Sequence, residues 1–184
     1  AGLGNPGPEY AGSRHNAGRI LLGTLVQVWN AVAAKKKDMC DIWKTERFGE
    51  SLILAGPQTY MNENGPPLAN LLSFLKISPE NLMVLHDEMD LPLGRLQLKL
   101  GGSSAGHRGV ESLYRSLGTA DFYRLRIGIG RPAATRPGRI SASVAPSAGV
   151  SSAGRDHVLS EFEPAEFRIL EELFSKSIDG IDAW

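Results

Sequence analysis

The stretch Leu82-Met83-Val84-Leu85-His86-Asp87-Glu88-Met89-Asp90 decides the fold class. Four consecutive apolar residues are typical of a strand that is buried on both faces. The apolar run ends abruptly in polar and acidic side chains, and α/β proteins place functional groups at the ends of buried strands. The stretch therefore predicts a central strand of an α/β protein with a functional site at its end.

Helical and strand periodicities alternate on both sides of this stretch. In chain order they predict a helix that follows Asn16 and ends near 35–37, a strand at 52–55, a helix at 66–75, strands at 82–85 and 95–100, a helix at 110–117, a strand at 122–129 and a helix at 164–181. Asn16 stands at the expected N-cap of the first helix, and Pro66 and Pro164 stand at helix starts. The alternation predicts an α/β layer architecture.

The composition fits one globular domain that spans residues 1–184. The 184 residues are 42% hydrophobic, which is enough for one ordinary core. Residues 133–153 are rich in Ser, Ala, Gly and Pro and predict a flexible loop. Twenty basic and twenty acidic side chains cancel, so a polyanionic partner must be bound by a local patch rather than attracted by net charge.

The sequence also bears on location. No apolar stretch approaches the roughly 18 residues of a membrane helix. The single Cys40 excludes an internal disulfide and fits a reducing compartment. We expect a cytoplasmic protein, with an organellar location left open. The chain opens at Ala1, directly on a glycine-rich turn, which we interpret as the loss of a preceding strand or targeting segment.

His15 is the candidate general base. It lies in Ser13-Arg14-His15-Asn16-Ala17-Gly18, just after the loop Gly2-Leu3-Gly4-Asn5-Pro6-Gly7. An imidazole can take a proton from water near neutral pH, and the carboxamides of Asn5 and Asn16 donate and accept hydrogen bonds without ionising. From these residues alone, a surface histidine without chemistry is the alternative.

Two strands predict a basic face. In the strand 95–100, leucines alternate with Arg95, Gln97 and Lys99, and in the strand 122–129 Arg124 and Arg126 share one face. Such a face suits the binding of phosphates, although an ordinary solvated sheet face has the same pattern.

Two glycine motifs offer rival functions. Residues 2–7 satisfy Gly-x-Gly-x-x-Gly, but Pro6 and Pro8 oppose a helix start inside the motif, which a dinucleotide site requires. Gly102-Ser103-Ser104-Ala105-Gly106 matches the nucleophile elbow Gly-x-Ser-x-Gly. Ser104 would then be the nucleophile, with Asp156 and His157 as its partners.

No metal and no cofactor are predicted. The four histidines are far apart in the sequence and lack the short spacing of common zinc sites. The acidic residues Asp87, Glu88 and Asp90 are interpreted as an acidic turn rather than a magnesium site.

Six ordered motifs resemble those of bacterial-type peptidyl-tRNA hydrolases. They are Gly2-Leu3-Gly4-Asn5-Pro6-Gly7, Arg14-His15-Asn16-Ala17-Gly18, Thr59-Tyr60-Met61-Asn62, His86-Asp87-Glu88, Gly106-His107-Arg108-Gly109 and Arg124-Leu125-Arg126-Ile127-Gly128. The match spans residues 1–132 and resumes weakly at 158–173. The resemblance implies a monomeric three-layer α/β domain with a mixed, partly parallel sheet between helices. It also implies an esterase that cuts the bond between a peptide and the 3′ ribose of tRNA.

The resemblance assigns roles to particular residues. It implies that His15 is the base, that Asp87 accepts the other ring proton of His15, and that Asn5 and Asn62 position the peptide and the water. The residues implied to bind substrate are Tyr10, Asn16, Met61, His107 and Arg108. Those implied to bind tRNA phosphates are Lys99, Arg126 and Arg124.

The chain departs from the family pattern at three places. Arg108 stands where the family usually has an asparagine, Glu63 follows Asn62, and a Ser/Ala-rich insertion precedes His157. A guanidinium cannot accept a hydrogen bond, so Arg108 changes the edge of the substrate channel. A catalytically silent RNA-binding protein on the same fold is the second hypothesis.

Overall fold

The computed structural model describes residues 1–47, 49–132 and 152–181 of the chain. The described helices are α1 (Ala17–Val28), α2 (Gly65–Leu75), α3 (Arg108–Leu117), α4 (Ser152–Leu159) and α5 (Pro164–Ile181). The described strands are β1 (Val32–Ala33), β2 (Cys40–Arg47), β3 (Glu50–Pro57), β4 (Met83–Glu88), β5 (Leu96–Leu100) and β6 (Tyr123–Gly128). Short 3₁₀ turns lie at Pro8–Tyr10, Arg14–Asn16, Met61–Glu63 and Pro79–Asn81.

The strands form two three-stranded sheets that the first residues of the chain link together. One sheet has the antiparallel order β1-β2-β3, and the other has the order β4-β6-β5, in which β4 and β6 are parallel and β5 and β6 antiparallel. Gly2 donates to the Ala55 carbonyl of β3, and Leu3 donates to the Leu85 carbonyl of β4, both at 3.0 Å. The 2–7 loop is thereby fixed beside the end of β4.

Helices cover both faces of the strands, which confirms the predicted α/β class. Leu85 and Leu125 belong to a core that also holds α1 and α5, whereas Val84 and Phe122 belong to a core that holds α2 and α3. Because successive side chains of a strand point to opposite faces, neighbouring residues of β4 enter different cores. The layers are therefore helix, sheet and helix.

A glycine brings α1 close to β4. A Cβ atom on Gly18 would lie 2.1 Å from the carbonyl oxygen of Leu85, a backbone contact that no side-chain rotation could relieve. This close approach places the turn before α1, which carries His15, next to the carboxyl end of β4.

The first predicted helix is too long, and two strands, β1 and β2, were missed. The helix ends at Val28 rather than near 35–37, because Asn30 takes a left-handed conformation (φ 50°) and Val32 starts β1. Strand β2 was not predicted. It carries Asp41, Lys44 and other polar residues between buried positions such as Ile42, so it lacks a continuous apolar run.

The predicted loop at 133–153 lies largely outside the described residues. Its last two residues, 152 and 153, belong to α4, so the helix starts inside the predicted loop. Within the described parts of the chain, no helix is long and apolar enough to cross a membrane.

The predicted basic face is wrong at Arg124 and incomplete at β5. Arg124 is 1% exposed, because its guanidinium turns inward onto backbone carbonyls of the segment after β5. Strand β5 lies at the edge of its sheet, and Leu98 and Leu100 are about as exposed as the polar residues between them. The alternation in β5 therefore does not separate a buried face from a solvated one.

Candidate active site

Most of the predicted site residues meet at the carboxyl end of β4, around a cavity of about 210 Å³. Five segments surround it: the 2–7 loop, the turn before α1, the segment before α2, the segment before α3, and α4. The predicted residues that line the cavity are Asn5, His15, Met61, Asn62, Asp87, His107 and Arg108. Tyr10, Asn16, Lys99, Arg124 and Arg126 do not line it.

His15 and Asp87 are in direct contact, as predicted. Nδ1 of His15 lies 2.9 Å from Oδ1 and 3.0 Å from Oδ2 of Asp87. Since an ionised carboxylate only accepts hydrogen bonds, Nδ1 carries the ring hydrogen and donates it. Nε2 of His15 is then the nitrogen with a lone pair, and it makes no hydrogen bond to any described residue.

The turn that carries His15 is held by the C-terminal part of the chain. The Arg14 guanidinium forms an ion pair with Glu166 of α5 at 2.8 Å and stacks over the Phe162 ring at 5.0 Å. The Arg14 amide donates to the Ser160 carbonyl. These contacts fix the backbone next to His15. The His15 ring therefore keeps the orientation in which it contacts Asp87.

His107 binds the same carboxylate, and its ring lies 4.9 Å from the ring of His15. Its Nε2 lies 2.8 Å from Oδ1 of Asp87, and its Nδ1 accepts from the Val110 amide at the start of α3 at 3.3 Å. A backbone amide can only donate, so Nδ1 has no hydrogen and Nε2 donates to Asp87. Asp87 therefore accepts one ring hydrogen from each of the two imidazoles.

The electrostatics keep Asp87 ionised. Burial raises the pKa of this carboxyl, but the attraction and the hydrogen bonds of His15 and His107 outweigh burial and hold its pKa well below the usual range. A third ring, His86, packs edge-on against His107 at 4.7 Å and is fully buried. The pKa of His86 lies well below its usual value, mainly because the ring is buried and also because His107 is close to it. This ring therefore stays neutral.

Asn16 holds the backbone of Asn5. It is 1% exposed, and its carboxamide accepts from the Asn5 amide at 2.8 Å and donates to the Asn5 carbonyl at 3.0 Å. Its role in substrate binding stays a prediction, while both ends of its carboxamide bond the Asn5 backbone. The predicted side-chain cap of α1 is absent for the same reason.

The side-chain NH₂ group of Asn5 is the part of this residue that has no hydrogen-bond partner among the described residues. Its Oδ1 accepts from the Met61 amide at 2.7 Å, and its backbone is held by Asn16. The side-chain nitrogen Nδ2 makes no hydrogen bond to any described residue, and Asn5 lines the cavity. Asn5 can therefore offer an N–H pair to a ligand.

Asn64 is a structural part of the site that the sequence argument missed. It is completely buried, accepts from the Gly4 amide at 3.1 Å, and donates to the carbonyls of Thr59 and Tyr60. These bonds join the 2–7 loop to the segment that carries Met61. A second asparagine two residues after Asn62 was the available signal.

The segment before α2 brings an apolar residue, an amide and an aromatic ring to the cavity. Met61 is buried, and Asn62 is exposed with no hydrogen bond to any described residue. Tyr60, which is 55% exposed, lines the cavity, whereas Tyr10 packs against the Tyr60 ring at 6.4 Å. The predicted place of Tyr10 in the lining is thus taken by Tyr60.

The start of α3 fits tightly under the cavity. A Cβ atom on Gly109 would lie 2.5 Å from Sδ of Met61 and 3.0 Å from Cδ1 of Leu3. Arg108 is exposed beside it and lines the cavity. A side chain at Gly109 would therefore displace the Met61 sulfur, and the neighbouring Arg108 is exposed and can reach a ligand.

The rival serine triad is not assembled. The hydroxyl of Ser104 donates to Glu111 at 3.2 Å, while Nε2 of His157 lies 2.9 Å from the Gly130 carbonyl. Ser104 therefore has no histidine to take its proton.

His15, Asp87 and His107 are also the one group of described residues whose ligand atoms are close enough to hold a metal ion. Both ring nitrogens that face Asp87 carry hydrogens, and a nitrogen with a hydrogen has no lone pair to give to a metal. The same three residues therefore fit a hydrogen-bonded cluster.

The predicted tRNA-binding residues differ in their exposure and in their ion pairs. Lys99 is exposed and forms no ion pair with a described residue. Arg126 is only partly exposed, since it forms an ion pair with Glu88 at 2.8 Å and donates to Gln97. Arg124 is buried.

A buried carboxylate that orients an imidazole, with carboxamide donors beside it at the strand ends of an α/β fold, is typical of enzymes that hydrolyse esters or amides. The comparisons with known proteins agree with this class. A family model described as peptidyl-tRNA hydrolase matches residues 1–184.

Individual proteins give the same result. The chain is 41% identical over 184 residues to the peptidyl-tRNA hydrolase of Desulfitobacterium hafniense, covering 100% of this chain and 90% of that protein. It is 41% identical over 177 residues to that of Aquifex aeolicus, covering 96% and 84%. A crystal structure of a peptidyl-tRNA hydrolase complex with N-propanol superposes with a TM-score of 0.84 at 29% identity, covering 98% of this chain and 84% of that chain. The structure from Acinetobacter baumannii has a TM-score of 0.81 at 30% identity, covering 95% and 81%.

The chain belongs to the peptidyl-tRNA hydrolase family, as the six motifs predicted. It is therefore a hydrolase, and the predicted enzyme class is confirmed.

Proposed function

We propose that this protein hydrolyses the ester that joins a peptide, or an N-blocked amino acid, to the 3′ ribose of tRNA, with His15 as the general base. One observation carries the proposal: Nδ1 of His15 is occupied by the buried Asp87, which leaves Nε2 as the proton acceptor beside the cavity. Cleavage would free the tRNA for another round of aminoacylation.

The reaction needs one proton to move twice. Nε2 of His15 removes a proton from water as the water oxygen attacks the ester carbonyl, and Asp87 stabilises the resulting imidazolium. When the tetrahedral intermediate collapses, the carbon–oxygen bond to the ribose breaks and His15 returns the proton to the leaving 3′ oxygen. The products are a peptide with a free carboxyl group and a tRNA with a free 3′ hydroxyl.

Asn5 and Asn62 supply the polar contacts to the reacting groups. Asn5 offers its Nδ2 hydrogens, and Asn62 is an exposed amide on the lining of the same cavity. Asn62 is the donor for the carbonyl oxygen as it becomes negative, a contribution of about 3 kcal/mol for donors of this kind. His107 donates a second hydrogen bond to Asp87, and Met61 gives the peptide an apolar surface.

Lys99 is the main contact for tRNA phosphates, with Arg126 beside it on the neighbouring strand. Lys99 has no carboxylate partner among the described residues, so its charge is available to a phosphate, whereas Glu88 neutralises much of the charge of Arg126. Arg108 at the cavity edge adds a further cation. Contacts to phosphates and the ester would carry no base sequence information, so the enzyme should accept many tRNAs.

The test is the release of the labelled amino acid from N-acetyl-aminoacyl-tRNA by wild type and by His15→Ala. We expect turnover by wild type and a fall in kcat of about 10²- to 10⁴-fold in the variant, the usual contribution of a general base. Comparable melting curves would show that the variant folds. Equal turnover by both proteins would contradict the role of His15.

Two rival functions give different results in the same assay. A silent RNA-binding protein would bind tRNA without releasing the amino acid. A Ser104 esterase would lose activity in Ser104→Ala and would be labelled by a serine-directed fluorophosphonate, whereas we expect retained activity and no labelling at Ser104.

Several finer points stay predictions. They are the single domain across residues 1–184, the monomeric state, the cytoplasmic location, and catalysis without a bound metal. Arg108→Asn tests the departure from the family pattern: if Arg108 contacts a phosphate, the variant should raise KM for tRNA substrates and leave kcat nearly unchanged.

A further inference from the structure

Arg124 is a buried cation whose hydrogen-bond partners are backbone carbonyls. It is 1% exposed and the largest of the fully buried side chains. It forms no ion pair with a described residue, and its Nε has no hydrogen-bond partner there. Burying a guanidinium is costly unless its hydrogens are used, so the partners of Arg124 indicate what the residue does.

Those partners lie in the turn that follows β5. The Nη1 group donates to the Ser103 carbonyl at 3.0 Å, and Nη2 donates to the Gly101 carbonyl. The Tyr114 hydroxyl of α3 donates to the carbonyl between them, that of Gly102. Three consecutive carbonyls are thus held from the protein side.

The same turn supports the end of Lys99. A Cβ atom on Gly102 would lie 2.7 Å from Cε and 2.8 Å from Nζ of Lys99, and 3.2 Å from Nη2 of Arg124. The two cations therefore approach Gly102 together. Gly102 has φ 86°, a conformation that glycine adopts freely, and it leaves the room that the lysine end occupies.

Lys99 and Arg124 also stand opposite each other in the sheet. They are paired residues of antiparallel β5 and β6, so their side chains share one face. Like charges in directly opposite positions are destabilising, and no described carboxylate forms an ion pair with either residue. An anion bound at Lys99 would relieve this repulsion.

We propose that Arg124 is a positioning residue for tRNA binding, which holds the 101–103 turn so that the Lys99 ammonium stands over Gly102, ready for a phosphate. The proposal rests on the proposed function. Arg124 itself is too buried to touch RNA, so its effect passes through Lys99.

The test is the salt dependence of tRNA binding in a double-mutant cycle of Lys99→Gln and Arg124→Gln. Loss of one phosphate contact reduces the slope of log Kd against log salt by about 1. We expect this reduction in Lys99→Gln, a similar one in Arg124→Gln, and no further reduction in the double variant, because both changes remove the same contact. Arg115→Gln, a change at an exposed arginine of α3, is the matched control.

Two milder variants test the same inference if Arg124→Gln does not fold. Tyr114→Phe removes only the bond to the Gly102 carbonyl, and Arg124→Lys keeps the charge but lacks the planar fork that offers separate nitrogens to the Ser103 and Gly101 carbonyls. Both should weaken tRNA binding in the same direction and less than Arg124→Gln. An ester substrate on a CCA trinucleotide, which lacks the tRNA body, should lose far less activity in all of these variants.

An unchanged salt slope in Arg124→Gln, or additive effects in the double variant, would overturn the inference while leaving the hydrolase function intact. Failure of the proposed function is a separate result, since it would appear as a wild-type protein that releases no amino acid.

Discussion

Asp87 and Glu88 are neighbours at the end of β4, and both are buried, at 2% and 6% exposure. Asp87 accepts hydrogens from two imidazoles, while Glu88 forms an ion pair with the guanidinium of Arg126. A guanidinium is permanently charged, but an imidazole gains and loses a proton near neutral pH.

The difference teaches which of the two carboxylates can take part in catalysis. Asp87 can stabilise a charge that appears on His15 during the reaction and disappears afterwards. Glu88 faces a charge that does not change, so it contributes to the arrangement of the β4-β6-β5 sheet rather than to proton transfer. Substitutions on the two sides should therefore affect different quantities.

Asp87→Asn should have the largest effect. Both ring hydrogens point at Oδ1, so an asparagine oxygen in that place could still accept them, but the amide group that replaces Oδ2 would face Nδ1 of His15 with hydrogens of its own. A neutral carboxamide would also no longer stabilise the positive charge that forms on His15 during the reaction. We expect kcat for N-acetyl-aminoacyl-tRNA to fall by about 10²- to 10⁴-fold.

The control for this variant is Asp121→Asn at an exposed aspartate, which should keep its activity. A kcat for Asp87→Asn close to the wild-type value would show that Asp87 is not needed for catalysis. The proposed difference between Asp87 and Glu88 would then be wrong.

Glu88→Gln should act mainly on stability. Breaking a buried ion pair costs about 3 kcal/mol, because the remaining charge stays buried without its partner. The loss should be visible in the free energy of unfolding measured in urea. The fall in kcat should be far smaller than for Asp87→Asn, and an equally large fall would show that Glu88 also serves the reaction.

Asn16→Ala should weaken the site through Asn5. The substitution leaves the buried amide and carbonyl of Asn5 without their partners, at a cost of about 1–3 kcal/mol for each unsatisfied group. We expect a lower free energy of unfolding together with a lower kcat. Asn81→Ala, at an exposed asparagine, is the control. A loss of substrate affinity with unchanged stability would instead support a direct role for Asn16 in binding.

The loss of free energy of unfolding at acid pH should also depend on Asp87. Its folded-state pKa lies well below its unfolded value of about 3.9. Burial opposes this shift, and the contacts with His15 and His107 more than compensate. The stabilisation is therefore present above about pH 4 and is lost as the pH falls further, since the unfolded chain then binds the proton first. Urea unfolding between about pH 5 and pH 3 should show a shallower loss in Asp87→Asn than in wild type, and equal slopes would contradict this.

Much of the architecture could be predicted because local patterns determine it. The apolar run 82–85 became a buried strand, and the polar residues after it became the site. The pairing of His15 with Asp87 followed from the resemblance and not from the residues alone, since 72 positions separate them.

The rest depended on burial, which alternation alone does not reveal. Arg124 and Arg126 have the same spacing as an exposed basic face, yet one is buried on carbonyls and the other is paired with Glu88. Asn16 matched an N-cap, but its carboxamide bonds the Asn5 backbone. In each case a tertiary partner took the polar group.

The most direct test of this account is the ¹⁵N NMR spectrum of the imidazole nitrogens of His15 at a pH where the ring is neutral. We predict a protonated Nδ1 and a pyridine-type Nε2, with the hydrogen-bonded signature of Nδ1 weakened in Asp87→Asn. A spectrum in which Nε2 carries the hydrogen and Nδ1 is bare would contradict the assignment of His15 as the base.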